Sequence, residues 1–114
     1  MTPVIITVFR SRLRPETRKD YDELSDGITA LARSMPGLVD VKTFAAPDGE
    51  RVTIVTFADA TSHDAWRNHP DHQAAQARGV ADFYEEYSIQ VGAVTSSRTW
   101  HRRENPPAAR SHLQ

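Results

Sequence analysis

Trp66, His69, His72 and Gln76 follow one another at steps of three and four, the spacing that brings side chains to one face of a helix. An imidazole in such a stripe exchanges protons near neutral pH without special tuning. The indole beside it offers a flat apolar wall with a single N–H donor. Two readings fit the stripe. It lines a cleft between helices and a sheet, or Trp66 packs in the core and the polar members form a solvated face. His69-x-x-His72 is also a metal-like spacing, but no carboxylate is placed by motif to complete a ligand set. Asp64 and Asp71 are near only in sequence, so no metal site is expected.

Phe83, Tyr84 and Tyr87 follow closely. They read either as a packing cluster at the sheet edge or as the wall of a pocket in which a phenol, Tyr84 first, hydrogen-bonds a planar ligand. Arg10, Arg12 and Arg14 alternate along and past the first strand. Such a series is mostly solubilising or ion-paired, and Arg10 is the member placed to reach an enclosed site. His63 is read as a surface helix residue, and His101 and His112 as parts of a tail. No Gly-rich phosphate loop, G-x-S-x-G elbow or H-E-x-x-H helix occurs, which removes support for nucleotide-binding, hydrolase and zincin chemistry.

The elements that must hold these residues fit one domain of 114 residues, long enough for a single core. Fourteen basic and fifteen acidic side chains nearly cancel, so neither nucleic acid nor a membrane surface is expected as partner. No apolar run approaches the ~20 residues of a bilayer span. Met1-Thr2-Pro3-Val4 leads directly into a strand-like run, so no signal peptide and a cytoplasmic location are expected. The chain has no cysteine, which excludes disulfides, thiolate catalysis and cysteine-held metals.

Residues 4–13 are rich in β-branched side chains and predict a first strand, apolar on both faces until Arg10 and Arg12. Pro15 opens a helix whose buried face is Tyr21, Leu24, Ile28, Leu31 and Met35, and Pro36-Gly37 ends it. Residues 38–46 predict a half-exposed strand with Val39, Val41 and Thr43 on one side and Asp40 and Lys42 on the other. Pro47-Asp48-Gly49 turns the chain into a third strand over 51–58, again apolar on both faces. Asp59-Ala60-Thr61 begins a second helical region, with Thr61 and Asp64 resembling a capping box. Pro70 interrupts that region and Gly79 ends it, and a last strand follows over 87–99. The domain is expected to span 1–100, followed by a loose tail over 101–114 that carries Pro106-Pro107.

The order β-α-β-β-α-β is that of the ferredoxin-like α+β fold, a four-stranded antiparallel sheet with its helices on one face. In it strands one and three are central, matching the two strands that are apolar on both sides. The bare face then exposes several large apolar side chains, each worth roughly 1.5–3 kcal/mol on burial. A two-fold dimer through that open sheet face is the simplest cover.

With F-R-S-R closing strand one and W-x-x-H-P-x-H-x-x-x-Q-x-x-G-x-x-x-F-Y-x-x-Y from Trp66 to Tyr87, the chain resembles the antibiotic biosynthesis monooxygenase (ABM) superfamily over about residues 3 to 97. The resemblance implies a dimeric α+β barrel made by two sheets meeting face to face. It also implies a reaction: some members oxygenate polycyclic phenols with molecular oxygen and neither metal nor flavin, the substrate itself supplying the electrons. Trp66 stands at the family tryptophan, and Ser62 stands where those enzymes carry asparagine. Haem-degrading members use an asparagine on strand one, the tryptophan and an axial histidine. The matching positions here are Phe9, Trp66 and Gln76, with His72 one helical turn from the ligand position, so haem is disfavoured.

The leading expectation is therefore a homodimeric, cofactor-independent monooxygenase for an aromatic or quinol-type small molecule. Trp66 would shape its pocket and His69 or His72 would accept the proton. Phe9, Arg10, Ser62, Gln76, Phe83, Tyr84 and Tyr87 would contact substrate. The alternatives are a non-catalytic dimeric binding or stress-associated module, and a haem-degrading monooxygenase.

Overall fold

The computed structural model describes residues 3–102, without the side chains of residues 17–19. Strand β1 (Ile5–Leu13) leads through a 3-10 turn (Pro15–Thr17) into helix α1 (Arg18–Ser34). Gly37 takes a φ of +86° after α1, a left-handed conformation that L side chains resist. Its bare Cα is pressed against the Ser62 side chain, so a Cβ there would collide. Strands β2 (Leu38–Ala45) and β3 (Arg51–Phe57) form the expected hairpin, followed by α2 (Ala60–Arg67), α3 (Pro70–Arg78), a π-helical turn (Gly79–Phe83) and β4 (Tyr84–Ala93).

The sheet order is β2-β3-β1-β4 and every pairing is antiparallel. The fold is thus the ferredoxin-like α+β arrangement, with the two doubly apolar strands in the middle. Val41 and Val55 face each other in the register. With Phe57, Ala32 and Trp66 they form the core between helices and sheet, and Leu31, Met35 and Leu38 pack around it. The other face carries Ile6, Val8, Val52 and Ile54, all half-buried, and the exposed Phe44.

Both edge strands hold an irregularity that changes which side chains face the helices. Arg12 pairs with Glu86 and Leu13 with Tyr84, leaving Glu85 as the extra residue of a bulge. Tyr84 and Tyr87 therefore share a face although they are three apart, which regular alternation forbids. In β2 the extra residue is Val39, so Leu38 and Val41 point inward and Val39 is exposed. This corrects the expected grouping of Val39 with Val41.

The helical connection also differs in detail from the expectation. The cap of α2 is Asp59, whose carboxylate accepts from the Ser62 N–H at 2.8 Å, not Thr61. Hydrogen bonding from Ser62 holds the Asp59 carboxyl below the ordinary aspartate range. Pro70 does break the helix: His69, the residue before it, is extended at φ −64° and ψ 132°, as sterics before proline demand. Gly79 does not stop α3. It keeps right-handed helical angles and starts the π turn, so β4 begins at Tyr84 and ends at Ala93 rather than spanning 87–99. The tail read over 101–114 lies outside the described residues from 103 on, His112 included; His101 is exposed.

Candidate functional site

A cavity of about 340 Å³ lies between α1, the α2–α3 pair and the helix-facing side of the sheet, at the lower end of the range for small-ligand pockets. Of the residues singled out from sequence, Phe9, Trp66, His72, Gln76 and Tyr84 line it. Thr7, Tyr21, Thr53, His63 and Arg67 line it as well. Helix α1 contributes Tyr21 because its buried face begins there, and α2 contributes His63 and Trp66 from one face, three residues apart.

Trp66 and His72 meet across the α2–α3 break, with ring centroids 4.2 Å apart and planes tilted by 39°. The Nδ1–H of His72 is placed to donate to the Arg67 carbonyl at 3.3 Å. Burial pushes the His72 pKa down, and the neighbouring His63 and His69 act in the same direction. His72 is therefore held as neutral imidazole. The Trp66 Nε1–H is buried and no protein group among the described residues accepts its hydrogen bond. Such an unpaired donor costs on the order of 1–3 kcal/mol, and buried polar groups rarely go without a partner.

At the opposite wall the Tyr84 hydroxyl lies 3.4 Å from that of Tyr21, and the Tyr84 ring packs edge-on against Phe9. Burial raises the Tyr84 pKa far above the ordinary phenol value, with the Tyr21 hydrogen bond adding to it. Tyr84 therefore stays a neutral phenol. Gly79 lies directly under the Tyr84 ring, so that a Cβ there would run into it.

His63, read from sequence as a surface residue, is only 4% exposed. The Thr7 hydroxyl lies 3.2 Å from its Nε2, and Nδ1 lies 3.1 Å from an Asp64 carboxylate oxygen. An ionised carboxylate only accepts, so these partners assign Nδ1–H and leave Nε2 to accept from Thr7.

Other expected residues lie outside the cavity wall. His69 is the N-cap of α3, its Nδ1 accepting from the Asp71 N–H at 3.1 Å. Arg10 alternates to the open face and forms a two-pronged ion pair with Glu50 at 2.8 and 3.0 Å. Ser62 packs on Gly37. Phe83 is buried edge-on against Tyr21, and Tyr87, at 49% exposed, flanks Phe9 from outside. Among the described residues no three His, Asp or Glu side chains gather into a set that could hold a metal ion, and no helix is long and apolar enough to cross a membrane.

The model of the antibiotic biosynthesis monooxygenase family matches residues 4–78. The chain belongs to that family. The chain is 28% identical over 103 residues to the uncharacterised protein YqjZ of Bacillus subtilis, a match covering 90% of each chain. Among solved structures it is similar to Rv0793 of Mycobacterium tuberculosis, with a TM-score of 0.76 and 18% identity over 84% of this chain and 99% of that one. It is also similar to a mutant form of SnoaB, a cofactor-independent oxygenase of Streptomyces nogalater. There the TM-score is 0.73 and the identity 12%, over 83% of this chain and 96% of that one. At these identities the likeness of the ABM domain to the two structures is one of fold, and fold alone assigns no substrate.

Proposed function

We propose that the protein is a cofactor-independent monooxygenase acting on an aromatic or quinol-type small molecule in the cavity. The observation that carries this reading is the wall of aromatic rings, Phe9, Tyr21, Trp66 and Tyr84, around the cavity. A planar ligand stacks on such a wall. The Tyr21–Tyr84 hydroxyl pair, both phenols lining the cavity, has one O–H left to donate to a ligand oxygen. A donor facing a phenolate or enolate oxygen stabilises the electron-rich anion that reacts with oxygen. For a benzylic CH₂ flanked by rings, one oxygen atom of O₂ becomes the new carbonyl. The other leaves as water with the two hydrogens of that carbon, and the substrate is the sole reductant.

The cavity size favours two or three fused rings. A porphyrin, four pyrroles with their side arms, is larger than a space of about 340 Å³, and Gln76 rather than a histidine stands at the axial position the resemblance implies, so haem is disfavoured. Dimerisation through the open sheet face belongs to the same reading, supported by the half-buried Ile6, Val8, Val52 and Ile54. Oxygen uptake with a panel of naphthols and anthrones tests the activity. Wild type is expected to consume oxygen with at least one of them, and Trp66→Phe, which replaces the indole wall by a smaller ring and loosens the position of the ligand, to lose roughly a hundredfold. No uptake with any member, or equal rates in both proteins, removes Trp66 from the chemistry.

A further inference from the structure

We infer that Thr7, His63 and Asp64 form a proton relay that connects a hydroxyl bound in the cavity with bulk water. The inference rests on the proposed phenolic ligand for its occupant and on the three side chains for its path. Thr7 sits on the cavity face of β1 and is buried, with its hydroxyl 3.2 Å from Nε2 of His63. The imidazole is buried between Phe57 and Trp66, whose rings meet it edge-on. Its far nitrogen reaches Asp64 at 3.1 Å, and the Asp64 side chain is 62% exposed. One hydrogen-bonded line thus runs from inside the cavity to solvent.

His72, the other imidazole of the cavity, has no such line. Its Nδ1 is engaged by the Arg67 carbonyl, a group that can neither take nor release a proton, and α3 places no carboxylate against it among the described residues. A proton delivered there would stay as an unpaired buried charge. At His63 the same proton makes an imidazolium already paired with Asp64.

The transfer balances without an oxidant. The ligand O–H gives its proton to Thr7 Oγ while the Thr7 proton moves to His63 Nε2. The imidazolium then releases its Nδ1 proton through Asp64 to water, leaving the ligand as an anion. Protonation of the product runs the same steps backwards and restores the starting tautomer. Thr7 is the member that touches the ligand. His63 and Asp64 act through it and are positioning residues.

Imidazole nitrogen NMR on the ligand-free full chain tests the path, and stopped-flow absorbance with 1-naphthol, which is protonated in neutral solution, tests its use. His63 is expected as the Nδ1–H tautomer, its N–H exchanging with solvent faster than that of His72. Asp64→Ala slows that exchange, Asp64→Glu restores it, and Asp71→Ala, another exposed carboxylate, leaves it unchanged. On mixing with the naphthol, Thr7→Val and Asp64→Ala slow formation of the bound naphtholate by roughly a hundredfold, Asp64→Ala with affinity retained. An Nε2–H tautomer at His63, or exchange indifferent to Asp64→Ala, overturns the relay even where oxygen uptake succeeds. Failure of the naphthol to bind counts against the phenolic ligand, and the exchange measurement then decides the relay alone.

Discussion

On the helix-covered face of the sheet, Thr7, Ser11, His63 and His72 are buried polar groups around an aromatic cavity. On the other face, Ile6, Val8, Val52, Ile54 and Phe44 are apolar and remain half-buried or exposed. The covered face buries polar groups beside its apolar core and the other leaves apolar groups open, and such exceptions to the usual rule are the informative ones. Polarity is buried where a ligand needs donors and acceptors. Apolar surface is left open where another surface has to meet it. The same two central strands supply both faces, since alternate residues of β1 and β3 belong to opposite sides.

Substitutions that separate the faces differ in their expected effect on folding. Phe57 is fully buried on the covered face, and Phe57→Ala should lower the free energy of unfolding by about 3–5 kcal/mol in a urea titration. A loss below that range would mean the cavity collapses to fill the gap. Gly79→Ala comes next: the added methyl meets the Tyr84 ring, and overpacking of this kind costs about 1–3 kcal/mol. A changed near-ultraviolet tyrosine signal should accompany the lower melting temperature. On the open face, Ile54→Lys should move the stability of the single chain by only about 0.5 kcal/mol yet reduce the particle to one chain by light scattering. If wild type is already a single chain, the dimer reading falls.

The smallest effect concerns pH. Burial depresses the folded-state pKa of His72 below the unfolded value of 6.5. The unfolded chain therefore binds the proton more readily. The contribution of neutral His72 is fully present above pH 6.5 and is lost as the pH falls through the depressed folded value. His72→Phe, which keeps a ring against Trp66, should flatten that part of the stability profile. An unchanged slope would mean that other groups dominate it.

Much of this was legible in the residues, and the misses have physical causes. The element order put β1 and β3 at the centre of the sheet, and their side-chain parity agreed. The Trp66, His72 and Gln76 spacing found one wall of the cavity, because period 3.6 survives a break of two residues between α2 and α3. His69 dropped out because the residue before proline is forced from the helix. Arg10 could have been placed from parity, since it alternates with Val8 on the face opposite Thr7. His63 was missed although it precedes Trp66 by three, a spacing that puts both side chains on one face of α2. Tyr21 carried no signal beyond its place in an apolar stripe. The joint position of Tyr84 and Tyr87 depends on a bulge that no local pattern announces.

The two tryptophans now differ in a way that is easy to observe. Trp66 is 5% exposed and touches an imidazole, while Trp100 is 63% exposed. Iodide will quench emission from the second and spare the first, so the residual blue-shifted light belongs to the cavity. A molecule entering there reports its own arrival by dimming that light, with no label attached and no turnover required.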